Sequence, residues 1–346
     1  MKAVVKYGEV DGAVEVREVP VPTIGPSDVL LEVKAAGVCG SDIEMWRHRV
    51  SFKVNVPVIQ GHEFCGVIVE KGSEVKGFQV GDAVVSETAA YICGVCPLCR
   101  AGEYNLCPER LGFGYGTDGA FTKYVRVPER CLHRLPAGRS FAEFALTEPM
   151  CVGYNAVVEK SRVRPGDTVV IFGPGPIGLC CLQVTKLLGA GPIVLIGAKG
   201  DEMRLELGKT LGADIVINSA EQDALAVVND VTGGYGAPLV VDAAGPSATL
   251  KMSIEMVRRN GQITKVGWGP GPVGFSLDGL ISKAAALQGS FSHTWKTWEA
   301  VLKLIGEGKL RTEPLISATR PITEWKEAYE SVESRRAVKV VLQPVD

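Results

Sequence analysis

Val169-Val170-Ile171-Phe172-Gly173-Pro174-Gly175-Pro176-Ile177-Gly178 is the stretch that decides how the rest of the chain reads. Its first four residues are continuously apolar, as in a strand buried on both faces. A Gly-x-Gly-x-x-Gly turn follows, and then an apolar run, 179–188, long enough for a helix. Strand, glycine turn and helix in that order suit a dinucleotide pyrophosphate. Gly173 permits the tight turn, Gly175 lets the backbone approach the phosphates, and Gly178 lets helix and strand pack closely. The helix amino terminus then presents free N–H groups and partial positive charge to the anion.

Outward from that turn, residues 165–289 alternate strand and helix. Strands are predicted at 168–172, 193–197, 215–217, 239–242, 262–266 and 284–289, with helices at 202–211 and 247–258 among those between them. That is the pattern of a doubly wound parallel sheet. Residues 1–150 read differently, as short extended segments broken by Gly and Pro, which predicts a β-rich, partly barrel-like domain. The closing run Ala337-Val338-Lys339-Val340-Val341-Leu342 is expected to rejoin it. The expected domains are therefore 1–150 with 290–346, and 151–289.

Composition narrows the function. The chain of 346 residues carries a formal net charge of −2, which argues against a nucleic acid partner, since phosphate neutralisation needs a clustered basic excess. Its first residues, Met1-Lys2-Ala3-Val4-Val5-Lys6-Tyr7, lack the long apolar core of a signal peptide, and no window reaches bilayer-spanning length. A cytoplasmic protein is expected, without membrane or nucleic acid partners. In that compartment ten cysteines call for metal or catalysis before disulfides.

Cys93-x-x-Cys96-x-x-Cys99, followed by Cys107, is the strongest of the cysteine signals. Four soft thiolates in a short loop suit a closed tetrahedral zinc site that orders a lobe with little apolar core. An iron–sulfur cluster fits less well, because the final gap is longer than in the bacterial cluster run and no second cysteine group follows. Two further places draw attention. Gly37-Val38-Cys39-Gly40-Ser41-Asp42 sets a thiol in an open turn with a hydroxyl two residues on. Gly61-His62-Glu63 supplies an imidazole, one of only four in the chain, next to a carboxylate. Glu148, just before Pro149, is expected in extended backbone that could aim it into a site.

Taken together, Cys39-Gly40-Ser41-Asp42, Gly61-His62-Glu63, the four-cysteine lobe, Thr147-Glu148-Pro149 and the Gly173–Gly178 turn resemble the zinc-dependent medium-chain dehydrogenases, most of all their sorbitol (polyol) and threonine dehydrogenase branch. The resemblance covers nearly the whole chain. It implies a GroES-like β domain that takes back the last segment, and a Rossmann domain between.

It further implies two zinc ions per chain and NAD or NADP. Cys39 and His62 would hold the catalytic zinc, with Glu63 or Glu148 as third protein ligand and the other close by. Ser41 would pass on the substrate proton. Gly173, Gly175, Pro176, Ile177, Gly178 and Val266 would lie along the cofactor. The implied reaction is oxidation of a secondary alcohol to a ketone with hydride transfer to the nicotinamide, in a dimer or tetramer. Threonine 3-dehydrogenase and cyclitol or sugar-acid dehydrogenase activities are alternatives within the enzymes. A nucleotide-binding scaffold without catalysis is the alternative outside them.

Three positions depart from the branch pattern. Glu44 stands where a relay histidine is usual, and Ser292 where polyol enzymes often carry arginine. The second Rossmann strand runs into Ile196-Gly197-Ala198-Lys199-Gly200, without the acidic residue that binds the adenosine ribose. Lys199 and Arg204 could instead meet a 2′-phosphate, unless Asp201 or Glu202 reaches back.

Overall fold

A computed structural model describes residues 1–345. The described residues divide into two compact units, residues 1–148 with 294–345, and residues 149–293.

The second unit is built on six parallel strands. Their spatial order is Ile215–Asn218, Ile193–Gly197, Val169–Phe172, Ala237–Asp242, Val257–Lys265, Ala286–Gly289. That is the order 3-2-1-4-5-6 of the dinucleotide-binding fold. Val169–Phe172 sits third across the sheet and is buried along its whole length, which is why its sequence shows no polar alternation. Helix Pro176–Leu187 follows it directly and buries an apolar face from Leu179 to Val184. The core of this unit gathers Val170, Phe172, Val194, Ile196, Val240 and Ile263 with Leu250 and Ile254 from helix Ser247–Met256.

The first unit holds two sheets. A small one pairs Val14–Glu18, Lys2–Lys6 and Val58–Ile59. In the larger, Asp28–Gly37 is the hub, antiparallel to Glu63–Lys71, to Tyr124–Pro128 and to Lys339–Gln343. The strands are buried over most of their length, and Leu31, Val33, Phe64, Ile68, Val84, Val127 and Leu342 form the core with Tyr329 from helix Trp325–Glu333. The returning strand thus lies beside the one that leads into Cys39.

Two expectations need correction. Glu148 is not extended: it lies in the first turn of helix Thr147–Tyr154. Pro149 is tolerated there because amides of the first turn have no carbonyl to bond within the helix. The helix predicted over 247–258 ends at Met256, and Val257 already pairs with Ala237 in the parallel sheet. A β-branched residue with a strand partner within reach leaves the helix early.

Candidate active site

Helix Gly40–Trp46 begins immediately after Cys39, and the backbone N–H of Cys39 donates to Asp42 Oδ2 at 2.9 Å. This local bond fixes the turn, leaving the thiol half-buried at the helix entrance. The other Asp42 oxygen, Oδ1, lies 3.6 Å from His62 Nδ1, beyond hydrogen-bond reach, and neither atom has a partner among the described residues. With Nδ1 turned toward Asp42, Nε2 is the ring nitrogen left for a cation.

Glu63 opens the next strand. Ligand atoms of Cys39, His62 and Glu63 all lie within 4.8 Å of one another, although Cys39 is contributed by a different segment. Glu148 is outside that group, yet it is buried and its charge acts on both Glu63 and Lys339. Ser41 is half-buried in the first turn of the same helix as Asp42.

Lys339 was not singled out by sequence. Its ammonium is wholly buried and donates to both oxygens of Glu63, and to the carbonyl of Val38 at 2.7 Å. Burial pushes the Glu63 carboxyl up; Lys339 pulls it back and Glu148 raises it again, leaving it above the usual range. Burial alone would lower the imidazole of His62, but Asp42 and Cys39 outweigh it and hold it well above its ordinary value. The imidazole thus stands among acidic groups, Asp42, Glu63 and the Cys39 sulfur, whose charge a bound cation would balance in place of a proton. That donor set and that electrostatic demand fit zinc.

The cysteine lobe is a second centre. Cys93 and Cys107 sulfurs stand 3.6 Å apart, and Cys93 and Cys99 sulfurs 4.0 Å. A tetrahedron with zinc–sulfur bonds of ~2.3 Å has edges of about 3.8 Å. The backbone turns toward these sulfurs: Cys96 N–H donates to Cys93 Sγ, Cys99 N–H to Cys96 Sγ, and Cys93 N–H to Cys107 Sγ. Amides of Val95 and Cys96 bring the Cys93 thiol down to about 7, whereas desolvation and the neighbouring thiols push Cys99 up to about 12. Four sulfurs this close become thiolates together only around a cation, which again fits zinc. Tyr104 anchors the lobe. Its hydroxyl donates to Glu87, which also meets His133 Nε2 at 3.2 Å, while His133 stacks on Trp298.

In the other unit Gly173 has φ of 90°, a left-handed conformation open to glycine. Gly175 caps helix Pro176–Leu187, Pro176 takes its first position and Ile177 follows. A Cβ on Gly178 would run into the carbonyl of Gly173, so the helix approaches the turn as closely as backbone allows. Val266 is buried just past strand Val257–Lys265, and its N–H donates to the carbonyl of Asp242. Asp242 is a further residue that sequence reading passed over. Its buried carboxylate accepts from Ala244 N–H, Gly245 N–H and the Thr249 hydroxyl, and pairs with Lys265 at 2.8 Å. A carboxylate ending the apolar run Leu239-Val240-Val241 was the available signal.

The departures from the branch pattern have structural expression. Glu44 is engaged in a two-pronged ion pair with Arg49, both contacts at 3.0 Å. Lys199 is exposed, while Arg204 is buried with Asp201 at 3.8 Å. Asp201 folds back to accept the Ala198 N–H, and Glu202 accepts that of Gly200. Ser292 is half-buried, with φ of 55°.

A dinucleotide-type turn on a 3-2-1-4-5-6 sheet, with a Cys–His–Glu cluster and a four-cysteine lobe on a separate β unit, defines a zinc- and nicotinamide-dependent dehydrogenase. Residues 25–137 match the alcohol dehydrogenase GroES-like domain, and residues 176–307 the zinc-binding dehydrogenase family. The chain belongs to the zinc-dependent medium-chain dehydrogenases.

It is 41% identical to a sorbitol dehydrogenase from Halalkalibacterium halodurans, covering 100% of both chains. It is 36% identical to a D-arabitol-phosphate dehydrogenase from Enterococcus avium, over 94% of this chain and 92% of that one. Among solved structures it resembles a protein described as a zinc-binding dehydrogenase from Sinorhizobium meliloti 1021, bound to NADP, with a TM-score of 0.89, 28% identity and 99% of each chain covered. The protein is accordingly an enzyme, an oxidoreductase of alcohols using zinc and NAD(P), and the non-catalytic scaffold alternative falls. Among the described residues no helix is long and apolar enough to cross a membrane.

Proposed function

We propose that the enzyme oxidises a polyol or a closely related secondary alcohol to the ketone, with Cys39 and His62 holding the catalytic zinc and Glu63 or Glu148 completing the protein ligands. The gathering of the Cys39, His62 and Glu63 ligand atoms within 4.8 Å carries this reading. Cys93, Cys96, Cys99 and Cys107 take the structural role. When bound, zinc supplies Lewis-acid activation of the hydroxyl and NAD(P) accepts the hydride.

The chain's own residues do the rest. Asp42, 3.6 Å from His62 Nδ1, attracts that edge of the ring electrostatically, and Lys339 neutralises Glu63 so that one carboxylate does not overload the pocket with negative charge. Ser41 takes the substrate proton. Glu44 is held by Arg49 and does not replace the missing relay histidine. Gly173, Gly175, Pro176, Ile177, Gly178 and Val266 form the cofactor surface. An exposed Lys199 at the end of the second strand supports use of NADP at least as readily as NAD, whereas Arg204, buried against Asp201, is turned to that carboxylate instead.

A homo-oligomer, dimer or tetramer, accords with edge strand Ala286–Gly289, whose four residues are all exposed and whose outer side pairs with no strand among the described residues. A reducing, cytoplasmic setting accords with ten free cysteines.

The test is a panel of polyols, polyol phosphates, cyclitols, sugar acids and L-threonine, each assayed with NAD and with NADP and ranked by kcat/KM. A polyol or its phosphate is expected to lead, with NADP at least equal to NAD. Highest turnover on L-threonine would replace the substrate class, and a strong NAD preference would refute the reading of Lys199.

A further inference from the structure

Gln60 directly precedes Gly61-His62 and is wholly buried. A buried amide is costly unless its donor and acceptor are both used. Here both ends are engaged with other parts of the unit. Nε2 donates to the backbone carbonyl of Asp42 at 3.2 Å, and Oε1 accepts from the hydroxyl of Tyr329 at 3.0 Å. The Gln60 backbone is fixed as well: its N–H donates to Val4 O at 3.0 Å, and its carbonyl accepts from Phe121 N–H at 2.9 Å. Tyr329 in turn is buried within helix Trp325–Glu333 and packs edge-on to Trp46 and Trp325.

One side chain thus ties together three segments remote in sequence. They are the run into His62, the turn carrying Cys39 and Asp42, and a helix 269 residues further on. The thiol of Cys39 and the imidazole of His62 sit on two of them, so their separation depends on how the turn registers against the run. The 3.6 Å between Asp42 and His62 Nδ1 depends on the same register.

We propose that Gln60 is a positioning residue for the catalytic metal site. Its amide keys the Cys39–Asp42 turn to the backbone beside His62, with Tyr329 holding the amide in orientation, so that thiol and imidazole stand at ligand spacing before the cation arrives. This rests on the reading of Cys39 and His62 as ligands. Gln60→Met keeps the volume and removes both hydrogen bonds. Gln60→Glu keeps the acceptor for Tyr329 and loses the donor to Asp42. Tyr329→Phe removes the hydroxyl alone.

The experiment compares zinc affinity by chelator competition, and the visible spectrum after cobalt substitution, in the full-length wild type and the three variants. The cysteine-lobe ion serves as internal control. Gln60→Met should weaken the catalytic ion by about 10- to 100-fold, the range known for residues that orient metal ligands, and shift the cobalt bands. Gln60→Glu should show an intermediate loss and Tyr329→Phe a smaller one, with the lobe ion unchanged in all three. If Gln60→Met does not fold, the other two variants decide the matter. Unchanged affinity and spectrum alongside a lowered Tm would show that the amide merely packs, and would overturn the proposal. A wild type binding metal in the lobe alone would overturn the ligand reading beneath it, a distinct failure visible before any variant is made.

Discussion

Lys339 shows what a single residue can conceal. Flanked by Val338 and Val340, it reads from sequence as a lysine that bends its ammonium out to water. Instead it is sealed inside, on Glu63, 276 positions away. Removing one member of a buried pair strands the other charge. Lys339→Met should therefore cost about 3–5 kcal/mol in urea unfolding, and a second change, Glu63→Gln, should recover much of that. Wild-type stability in the single variant would mean that Glu63 is buried uncharged. Cys39, His62 and the four lobe cysteines were legible because such residue types are scarce and their spacing carries chemistry. Lys339 and Gln60 were not, and Asp42 stood in the motif without its role, since each acts through a partner that only the fold supplies. Glu148 was found in sequence but given the wrong backbone, because the rule for a residue before proline is weaker inside a first helical turn.

At the level of elements, helices Gly40–Trp46 and Trp325–Glu333 are joined beside the metal site. Arg47 makes a two-pronged pair with Glu333, at 2.6 and 3.0 Å, and Arg49 reaches the same carboxylate at 3.3 Å. The hydrogen bonds from Arg47 come first in holding the Glu333 carboxyl below its ordinary range. A carboxyl depressed in the folded state stabilises it at pH above the unfolded value, and that contribution disappears as pH falls through the folded value. Tm of wild type should therefore exceed that of Glu333→Gln at neutral pH, and the gap should close as pH drops from about 5 to about 3. A gap independent of pH would assign the effect to packing. The strands of the parallel sheet were legible as elements because burial on both faces writes unbroken apolar runs. The end of helix Ser247–Met256 was not, because what stops it is a pairing with Ala237.

For the molecule as a whole, alternation of strand and helix around the glycine turn was enough to foresee the parallel sheet. In the first unit, sequence gave β character without the pairing scheme, because Asp28–Gly37 draws its neighbours from as far away as Lys339–Gln343. The two metal centres should separate in experiment. Metal analysis is expected to give about two zinc per chain. Cys39→Ala or His62→Ala should lose one ion and turnover with Tm near wild type, whereas Cys96→Ser should lose the lobe ion and lower Tm. Equal thermal loss in all three would contradict the division of roles between the centres.

The returning strand also sets an order of events during synthesis. A growing polypeptide exposes Cys39, His62 and Glu63 early, then passes through the whole dinucleotide-binding unit before Lys339 and Tyr329 emerge. Until residues 329 and 339 have been made, the carboxylate at 63 has no ammonium to meet and the amide at 60 no hydroxyl, so the cation pocket is completed only after the dinucleotide-binding unit has been synthesised.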